Sequence, residues 1–362
     1  MLISLSEYAK DHGKSGDTIR RFAERGALKT AMKIGRNWVV DSEEEYPVQK
    51  REKKKSFSTV SLFSGCGGMD LGFIGGFDFL GKHYEKTGFS IIWANEINPA
   101  ACNTYRANIG EHIVEGDIND VMETLPEYAD VVIGGFPCQD ISINGKMLGI
   151  NGKRSSLYTA IVDTVQTIGP KVFVAENVGG LLMKKNDESL KKILSDFNEL
   201  GYNIHHGLYC ASVYGVPQTR ERVFIVGTRN DISEFAPPEP LFGYPITAKE
   251  AIGDLESMDA DEEFSHIWSL AKVSGEQGNR RLIADRPGYT VRAECHGNIQ
   301  FHYSLPRRMS MREAARIQSF PDSFRFKSKL RETERQIGNA VPPVLAWHIA
   351  NAVQSLMGEK GV

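Results

Sequence analysis

The feature that most constrains the fold is an alternation, from Phe57 onward, of short apolar runs with segments of helical periodicity. The predicted strands span residues 58–63, 90–95, 130–134, 171–175 and 222–227, and the predicted helices span residues 98–107, 156–168 and 190–200. Strands that alternate with helices are typical of a doubly wound α/β sheet. The chain has 362 residues, of which 41% are apolar, and can bury the core that such a sheet needs.

The charge distribution separates a small N-terminal part from the rest of the chain. Residues 1–55 hold 13 Lys and Arg against 9 Asp and Glu, a net of +4, whereas the remaining residues hold 30 against 37, a net of −7. The whole chain, at −3, is not a uniformly basic nucleic-acid coat, although a locally basic groove stays possible. Part of the N-terminal excess is the basic run at residues 50–55, which predicts a solvated linker.

The N-terminal part has the pattern of two helices followed by a β-hairpin. The predicted elements are a helix over residues 7–11, a helix over residues 18–25 and two short strands within residues 33–40. Ser6 and Asp17 are the predicted N-caps of the two helices. This order resembles the helix-turn-helix modules with a wing in excisionase-like and MerR-like proteins, which implies DNA binding by Arg20 and Arg21 on the second helix. A packing, dimerisation or partner-docking element is the alternative.

A glycine-rich turn follows the first predicted strand of the sheet. Residues 63–69 read FSGCGGM, and glycines at this point permit a tight turn and the close approach of a ligand to the backbone. Glu96 closes the next strand, where a carboxylate accepts hydrogen bonds from ribose hydroxyls. Asp117 closes a predicted third strand, where it would face an adenine amine. The pattern indicates a site for an adenosine-containing cofactor, and a purely structural turn is the alternative.

A Pro-Cys pair, within the run GGFPCQDIS at residues 134–142, opens the loop after another predicted strand. Backbone N–H groups near such a thiol favour the nucleophilic thiolate form, although a lone cysteine there is more often a small buried hydrophobe. Three further side chains favour the nucleophile. Glu176 closes the following strand at the same edge of the sheet, and Arg220 and Arg222 open a later strand on one face. We expect Cys138, the acid and the paired cations to converge beside the glycine turn.

Together these motifs resemble those of the DNA cytosine-5 methyltransferases, from about Phe57 to the C terminus. The matching motifs, in the order of that family, are FSGCGGMDLGF, GGFPCQDIS with the following NGKMLGINGKRSSL, AENV, QTRERVFIVG, MREAARIQSFPD and QIGNAVPP. The resemblance implies a Rossmann-like methyltransferase domain, a smaller target-recognition domain, S-adenosyl-L-methionine as cofactor and double-stranded DNA as substrate.

The same resemblance implies roles for single residues. Cys138 looks like the nucleophile that adds to C6 of an extruded cytosine, and Glu176 looks like the acid that grips the cytosine edge. Arg222 and, beside it, Arg220 look like the groups that orient the flipped base. The residues that look like cofactor contacts are Phe63, Ser64, Gly65, Gly67, Gly68, Glu96, Ile97, Asp117, Ile118, Pro137, Leu157, Asn339 and Val341.

Candidate DNA contacts lie in two segments. In the loop from residue 142 to 156, the resemblance implies that Asn144 enters the duplex, and Lys146 and Arg154 are typical of a lid that closes on DNA. In the recognition segment, Arg292 and His296 are the candidates for base readout, with phosphate positioning as the alternative. The predicted domains are a helix-turn-helix-like module (1–49), a linker (50–56), a catalytic domain (57–230), a recognition domain (231–307), a hinge (308–335) and a C-terminal part (336–362) that returns to the catalytic domain.

Cysteine content and hydropathy exclude several other classes of protein. None of the five cysteines forms a CxxC pair, which argues against a disulfide framework and a structural metal site. No apolar run approaches the roughly 20 residues of a membrane span, and the first residues lack the order of a signal peptide. We therefore expect a cytoplasmic protein without a membrane partner. We also expect the chain to act as a monomer on its methylation site.

Two hypotheses stay open beside DNA methylation. A tRNA cytosine-5 methyltransferase is the nearest alternative, because a relative of the DNA enzymes with the same catalytic motifs acts on RNA. The second hypothesis is additional: the N-terminal unit binds the promoter of its own gene and makes the protein a regulator as well as an enzyme.

Overall fold

The computed structural model describes residues 2–12, 16–24, 28–35, 37–44, 56–136, 157–241, 243, 245–270, 280–293 and 300–358; for Asp17, Thr18 and Arg21 it describes the backbone only. The chain divides into two units, Met1–Lys55 and Ser56–Val362. The boundary between the units lies inside the predicted linker, residues 50–56.

The N-terminal unit combines a three-stranded sheet with two helices. Its elements are β1 (Leu2–Ser4), α1 (Leu5–Asp11), α2 (Gly16–Glu24), β2 (Met32–Ile34) and β3 (Asn37–Asp41). The strand order is β1-β3-β2, and both pairs are antiparallel. Tyr8, Ile19 and Val40 lie fully buried in its core. The two helices and the hairpin are thus present, and a DNA-binding role for them stays a prediction.

The N-cap of α1 is Ser4, so the prediction of Ser6 is wrong. The Ser4 hydroxyl accepts a hydrogen bond from the N–H of Glu7 at 3.2 Å. The reason is strand β1, which pairs with β3 as far as Ser4, so that the helix begins directly where the strand ends. The prediction of Asp17 as a cap is also displaced, because α2 begins at Gly16 and contains Asp17 in its first turn.

A seven-stranded sheet organises the second unit. Its strands are β4 (Phe57–Leu62), β7 (Phe89–Glu96), β8 (Ile113–Glu115), β9 (Val131–Gly135), β10 (Val172–Val178), β11 (Tyr202–Cys210) and β12 (Glu221–Arg229), and a hairpin of β5 (Phe77–Phe79) and β6 (Lys82–Tyr84) lies outside it. The strand order is β11-β12-β10-β9-β4-β7-β8. From β10 to β8 all neighbours pair in parallel, whereas β12 is antiparallel to both β10 and β11.

Helices cover both faces of this sheet. They are α3 (Gly68–Ile74), α4 (Pro99–Asn108) and α11 (Pro343–Gly358) on one face, and α5 (Ile118–Val121), α6 (Leu157–Ile168) and α7 (Asp187–Glu199) on the other. The helices α8 (Ala248–Ile252), α9 (Met311–Ile317) and α10 (Leu330–Asn339) pack in a separate core. Alternate residues of β10 enter two different cores: Val174 packs in the core that contains α3 and α11, and Phe173 in the core that contains α6 and α7. The doubly wound α/β fold is therefore confirmed. In the part of the chain that the structure describes, no helix is long and apolar enough to cross a membrane.

The ends of the predicted strands differ from the observed ends by at most three residues. The sequence did not predict β11, because burial along it is irregular and only Tyr202 and Tyr209 are fully buried, so neither an apolar run nor a regular alternation marks it.

A third core joins the predicted recognition segment to the helices that follow it. Ala251 of α8 and Val291 pack with Phe320 and with Ile337 of α10. The predicted recognition domain and hinge thus share buried side chains, and their boundaries stay predictions.

Candidate active site

Glu176 and Arg222 form an ion pair at the edge of the sheet where the parallel strands end. Because β12 is antiparallel to β10, its first residues lie beside the last residues of β10, and Val178 pairs with Arg222. Glu176 lies two residues before Val178 on the same face, within reach of a long side chain on the neighbouring strand. The Nε of Arg222 is 2.7 Å from Oε1 of Glu176. The predicted convergence of these two side chains is therefore present.

Burial controls the protonation of this pair. Burial raises the pKa of the Glu176 carboxyl, and the charges of Arg222 and Arg220 only partly oppose this. Burial likewise lowers the pKa of Arg222, opposed by Glu176. A carboxyl group whose neutral form is favoured by its surroundings is suited to donate a hydrogen bond or a proton to a base.

The second carboxylate oxygen of Glu176, Oε2, lies next to the end of β9. A Cβ on Gly135, the last residue of β9, would lie 2.9 Å from Oε2 of Glu176, so glycine leaves the space for this oxygen. Beside it, the buried Asn177 donates from Nδ2 to the carbonyl oxygen of Phe136 at 3.0 Å. Asn177 therefore fixes the point where the chain leaves β9 toward Cys138, a role that sequence reasoning did not assign.

Arg220 does not point its guanidinium at the Glu176 carboxylate. It is almost completely buried and donates to two backbone carbonyl oxygens, those of Val291 at 2.9 Å and Gly338 at 2.8 Å. Burial lowers the pKa of this guanidinium. The two neighbouring arginines thus contact different parts of the unit.

The predicted cofactor turn lies between β4 and α3 and is held by Glu96. Phe63 and Gly65 have φ angles of 55° and 57°, in the left-handed region that costs energy for a residue such as Phe. The N–H of Gly65 donates to Oε2 of Glu96 at 2.9 Å, and the N–H of Asn98 donates to Oε1 at 2.8 Å. These two hydrogen bonds orient the Glu96 carboxylate, and each of its oxygens can accept a further hydrogen bond.

Other predicted cofactor residues lie around the same turn. The carbonyl oxygen of Val341 is so close to Gly68 that a Cβ there would lie 2.6 Å from it. The N–H of Gly116 donates to the carbonyl oxygen of Glu96 at 3.1 Å, which brings Asp117 beside that acid. Ile97, next to Glu96, is 63% exposed. A carboxylate, backbone polar groups and an exposed apolar side chain fit the ribose and the ring of an adenosine-containing cofactor.

The remaining members of the predicted cofactor set have mixed surroundings. Asp117 caps α5 and accepts hydrogen bonds from Asn119, while Ile118 is buried. The N–H of Ser64 donates to the carbonyl oxygen of Asn95 at 2.9 Å. Leu157 is half-buried at the start of α6, and Asn339 is exposed at the end of α10.

Several predicted site residues lie outside the described residues: Pro137, Cys138, Asn144, Lys146, Arg154 and His296, together with the side chain of Arg21. Arg292 is described and exposed, directly after buried Val291. Arg20 is exposed on α2, where its Nε is 3.0 Å from Oε1 of Glu24.

A buried chain of polar side chains lies beneath the cofactor turn and was missed by sequence reasoning. The hydroxyl of Tyr105 donates to Oδ1 of Asp70 at 2.9 Å and lies 3.0 Å from Nε2 of His112. Asp70 is completely buried on α3, and burial raises its pKa to about 6, against the opposing hydroxyls of Tyr105 and Ser61. The one signal was an acidic residue inside the otherwise apolar run MDLGF.

We expect Asp70→Asn to remove a pH-dependent loss of stability. The pKa of Asp70 in the folded chain, about 6, lies above the ordinary value of 3.8, so its stabilising contribution is complete below about pH 4 and is lost as the pH rises through 6. The loss is about 3 kcal/mol by pH 8. The free energy of unfolding of the wild type, measured by chemical denaturation, should fall between pH 5 and pH 8 relative to that of Asp70→Asn. Asp120→Asn, at an exposed carboxyl, is the control; an equal response of Asp70→Asn and wild type to pH would contradict the prediction.

The fold and this site together define an enzyme of the methyltransferase class. The family model for C-5 cytosine-specific DNA methylases matches residues 57–273 and 267–355. The chain belongs to this family and is a DNA (cytosine-5) methyltransferase.

Individual relatives agree with this assignment. The chain is 36% identical over 337 residues to the Type II methyltransferase M.NgoFVII of Neisseria gonorrhoeae, covering 83% of this chain and 87% of that protein. It is 31% identical over 409 residues to M.Eco47II of Escherichia coli, covering 98% and 95%, so most of the N-terminal unit is aligned there.

Solved structures share the fold. A putative DNA modification methyltransferase from an E. coli prophage superposes with a TM-score of 0.65 at 24% identity, over 84% of this chain and all of that one. Spodoptera frugiperda DNMT2 superposes with a TM-score of 0.62 at 19% identity, over 83% of this chain.

Proposed function

We propose that this chain transfers a methyl group from S-adenosyl-L-methionine to C5 of a flipped cytosine within a specific duplex DNA site, through a covalent bond between Cys138 and C6. The observation that carries the proposal is the Glu176–Arg222 pair, with Oε2 of Glu176 next to the end of β9. Cys138 follows three residues after Gly135 in the sequence, and the proposal assigns its thiol to the space next to the Glu176 carboxyl. The Type II methyltransferase relatives support duplex DNA as the substrate.

The proposed steps follow from the weakness of C5 as a nucleophile. The thiolate of Cys138 adds to C6, and the electron pair of the C5–C6 double bond moves to C5 while Glu176 donates its proton toward N3. Arg222 holds Glu176 and the base edge in place. After C5 has gained the methyl group, C5 loses its proton to a base, the double bond re-forms, the thiolate leaves C6 and the proton on N3 returns to Glu176.

The cofactor supplies its methyl group already activated as a sulfonium. The residues that would hold it are those of the turn at Phe63–Gly68, with Glu96 toward the ribose hydroxyls and Ile97 and Asp117 toward the adenine. Glu96 suits this role because its two oxygens are already oriented by the backbone of Gly65 and Asn98.

The proposal requires the base to leave the duplex. Glu176 and Arg222 are nearly buried, so they cannot reach a cytosine that is stacked in a helix. We assign Asn144 to the space left by the extruded base, and Lys146, Arg154, Arg292 and His296 to the DNA around it, with one copy of the chain at each site.

The test is methyl transfer by the purified chain from labelled S-adenosylmethionine to plasmid DNA and, in parallel, to tRNA. We expect label in plasmid DNA alone, and bisulfite sequencing should locate it at the cytosines of one short sequence. Label in tRNA and none in plasmid would overturn the proposal in favour of the RNA enzyme.

We also propose that the N-terminal unit binds duplex DNA and, at the promoter of its own gene, regulates expression. Support comes from the exposed Arg20 on α2 and from Lys33 on β2, whose Nζ lies 5.6 Å from the centre of the Trp38 ring. Deletion of residues 1–50 should abolish retention of the promoter fragment in a gel-shift assay and spare methylation. Retention of the fragment by the truncated chain would mean that this unit serves another purpose, such as docking a partner.

A further inference from the structure

A short segment of the predicted recognition region runs along the residues that lead into β12. We call this segment, residues 288–293, the recognition strap. The N–H of Gly288 donates to the carbonyl oxygen of Pro217 at 2.9 Å, and the N–H of Thr219 donates to the carbonyl oxygen of Gly288 at 2.9 Å. The strap is therefore bound directly to residues 217–219, which precede Arg222 by a few positions.

Two buried side chains form hydrogen bonds with the backbone N–H and the backbone carbonyl group of Val291, at the centre of the strap. Oε1 of Gln218 accepts from the N–H of Val291 at 3.0 Å, and Nη1 of Arg220 donates to its carbonyl oxygen at 2.9 Å. Gln218 and Arg220 are almost completely inaccessible to solvent. Gln218 and Arg220, which lie just before β12, thus supply Val291 with the hydrogen bonds that a neighbouring β-strand would otherwise supply.

The same two side chains reach the helices on the other side of the strap. Nε2 of Gln218 donates to the carbonyl oxygen of Ile317 in α9 at 3.1 Å, and Nη2 of Arg220 donates to that of Gly338 in α10 at 2.8 Å. A Cβ on Gly338 would lie 2.4 Å from the backbone of Arg292 and Ala293. The strap is therefore closely packed between residues 217–220 and these helices.

The position of the exposed Arg292 depends on this enclosure. Arg292 follows Val291 directly, and Arg222 follows Arg220 by two residues. A displacement of the strap would change the distance between a candidate base-reading side chain and the Glu176–Arg222 pair. Misplacement of reacting groups by about 1 Å is known to cost on the order of 10²-fold in rate.

We propose that Arg220 and Gln218 are positioning residues that hold the recognition strap in register with Arg222, so that correct seating of the DNA on the strap places the target cytosine against Glu176. The inference rests on the proposed function, since it assumes DNA as the substrate. It assigns Arg220 a role in sequence discrimination through the strap, and not a contact with the base.

The experiment compares Arg220→Lys and Gln218→Met with the full-length wild type on a pool of duplexes with randomised sequence, read by bisulfite sequencing. A lysine cannot bond both carbonyl groups with the geometry of a guanidinium, and methionine matches glutamine in size without its polar groups. We expect each variant to lose about tenfold in its preference for the cognate sequence over sites with one mismatch, with KM for S-adenosylmethionine unchanged.

Arg229→Lys is the matched control, because Arg229 lies at the opposite end of β12 and also bonds a backbone carbonyl group, that of Gly169. It should keep the wild-type preference. If Arg220→Lys does not fold, Gln218→Met decides. Loss of activity with an unchanged sequence preference would overturn the inference, and a wild type that labels no DNA would instead overturn the proposed function.

Discussion

Replacing Cys138 by alanine is expected to lower the rate of methyl transfer to DNA by roughly 10³-fold or more. Without the thiolate no covalent bond to C6 forms, and C5 stays too weak a nucleophile to accept a methyl group. Single-turnover transfer to a duplex that carries the cognate site measures the effect.

Cys210→Ala is the matched control for Cys138→Ala. Cys210 is a half-buried free thiol at the end of β11, and its loss should leave the rate within about twofold, as for a change away from the chemistry. A duplex with 5-fluorocytosine at the target should trap a protein–DNA adduct that survives denaturing electrophoresis, in the wild type and Cys210→Ala but not in Cys138→Ala. Full activity of Cys138→Ala would refute the mechanism.

Replacing Glu176 by glutamine is expected to lower kcat by about 10²- to 10⁴-fold, the range typical for a lost proton donor. Glutamine can still accept a hydrogen bond from Arg222 but has no proton to give to N3. Because burial raises the pKa of Glu176, its protonated form persists to a higher pH than that of an ordinary glutamate and is lost as the pH rises. The wild-type kcat should therefore fall on the alkaline side, and Glu176→Gln should lack this dependence.

Two controls separate chemistry from stability at Glu176. Glu221→Gln removes an exposed carboxylate next to Arg222 and should leave kcat and its pH profile unchanged. Glu176→Gln leaves the Arg222 charge buried without its partner, which destabilises the fold, so its unfolding must be measured beside its rate. A folded Glu176→Gln variant with the kcat and pH profile of the wild type would exclude Glu176 as the acid.

The alternation of apolar runs and helical segments was sufficient to predict every strand of the large sheet except β11, together with the helices α4, α6 and α7, because each of these segments has a local pattern. The direction of β12, in contrast, cannot be read from a local sequence pattern. Nothing within residues 221–229 states which strand they pair with, or that they run against β10. Yet that direction is what brings Arg222 next to Glu176. The sequence predicted that the two side chains converge, and the pairing supplies the physical reason.

Arg220 illustrates what the local pattern could not supply. Two arginines spaced by one residue suggested one shared face, but the bonds of Arg220 are made with Val291 and Gly338, far away along the chain. Such contacts depend on where distant segments pack. Asp70 and Asn177 were overlooked for the same reason, since their partners lie on other elements.

The antiparallel direction of β12 also determines where the recognition region of this enzyme can be exchanged to change its DNA specificity. The strand starts at the edge of the sheet that carries the Glu176–Arg222 pair and ends with Arg229 at the opposite edge. We call residues 231–287, which connect this strand to the strap in the sequence, the excursion. An exchange of that excursion with a relative would keep all hydrogen bonds between residues 217–220 and the strap. It must retain small residues at Ala248 and Ala251, which are fully buried in the core shared with α9. The natural junctions for a chimaera are therefore the end of β12 and Gly288.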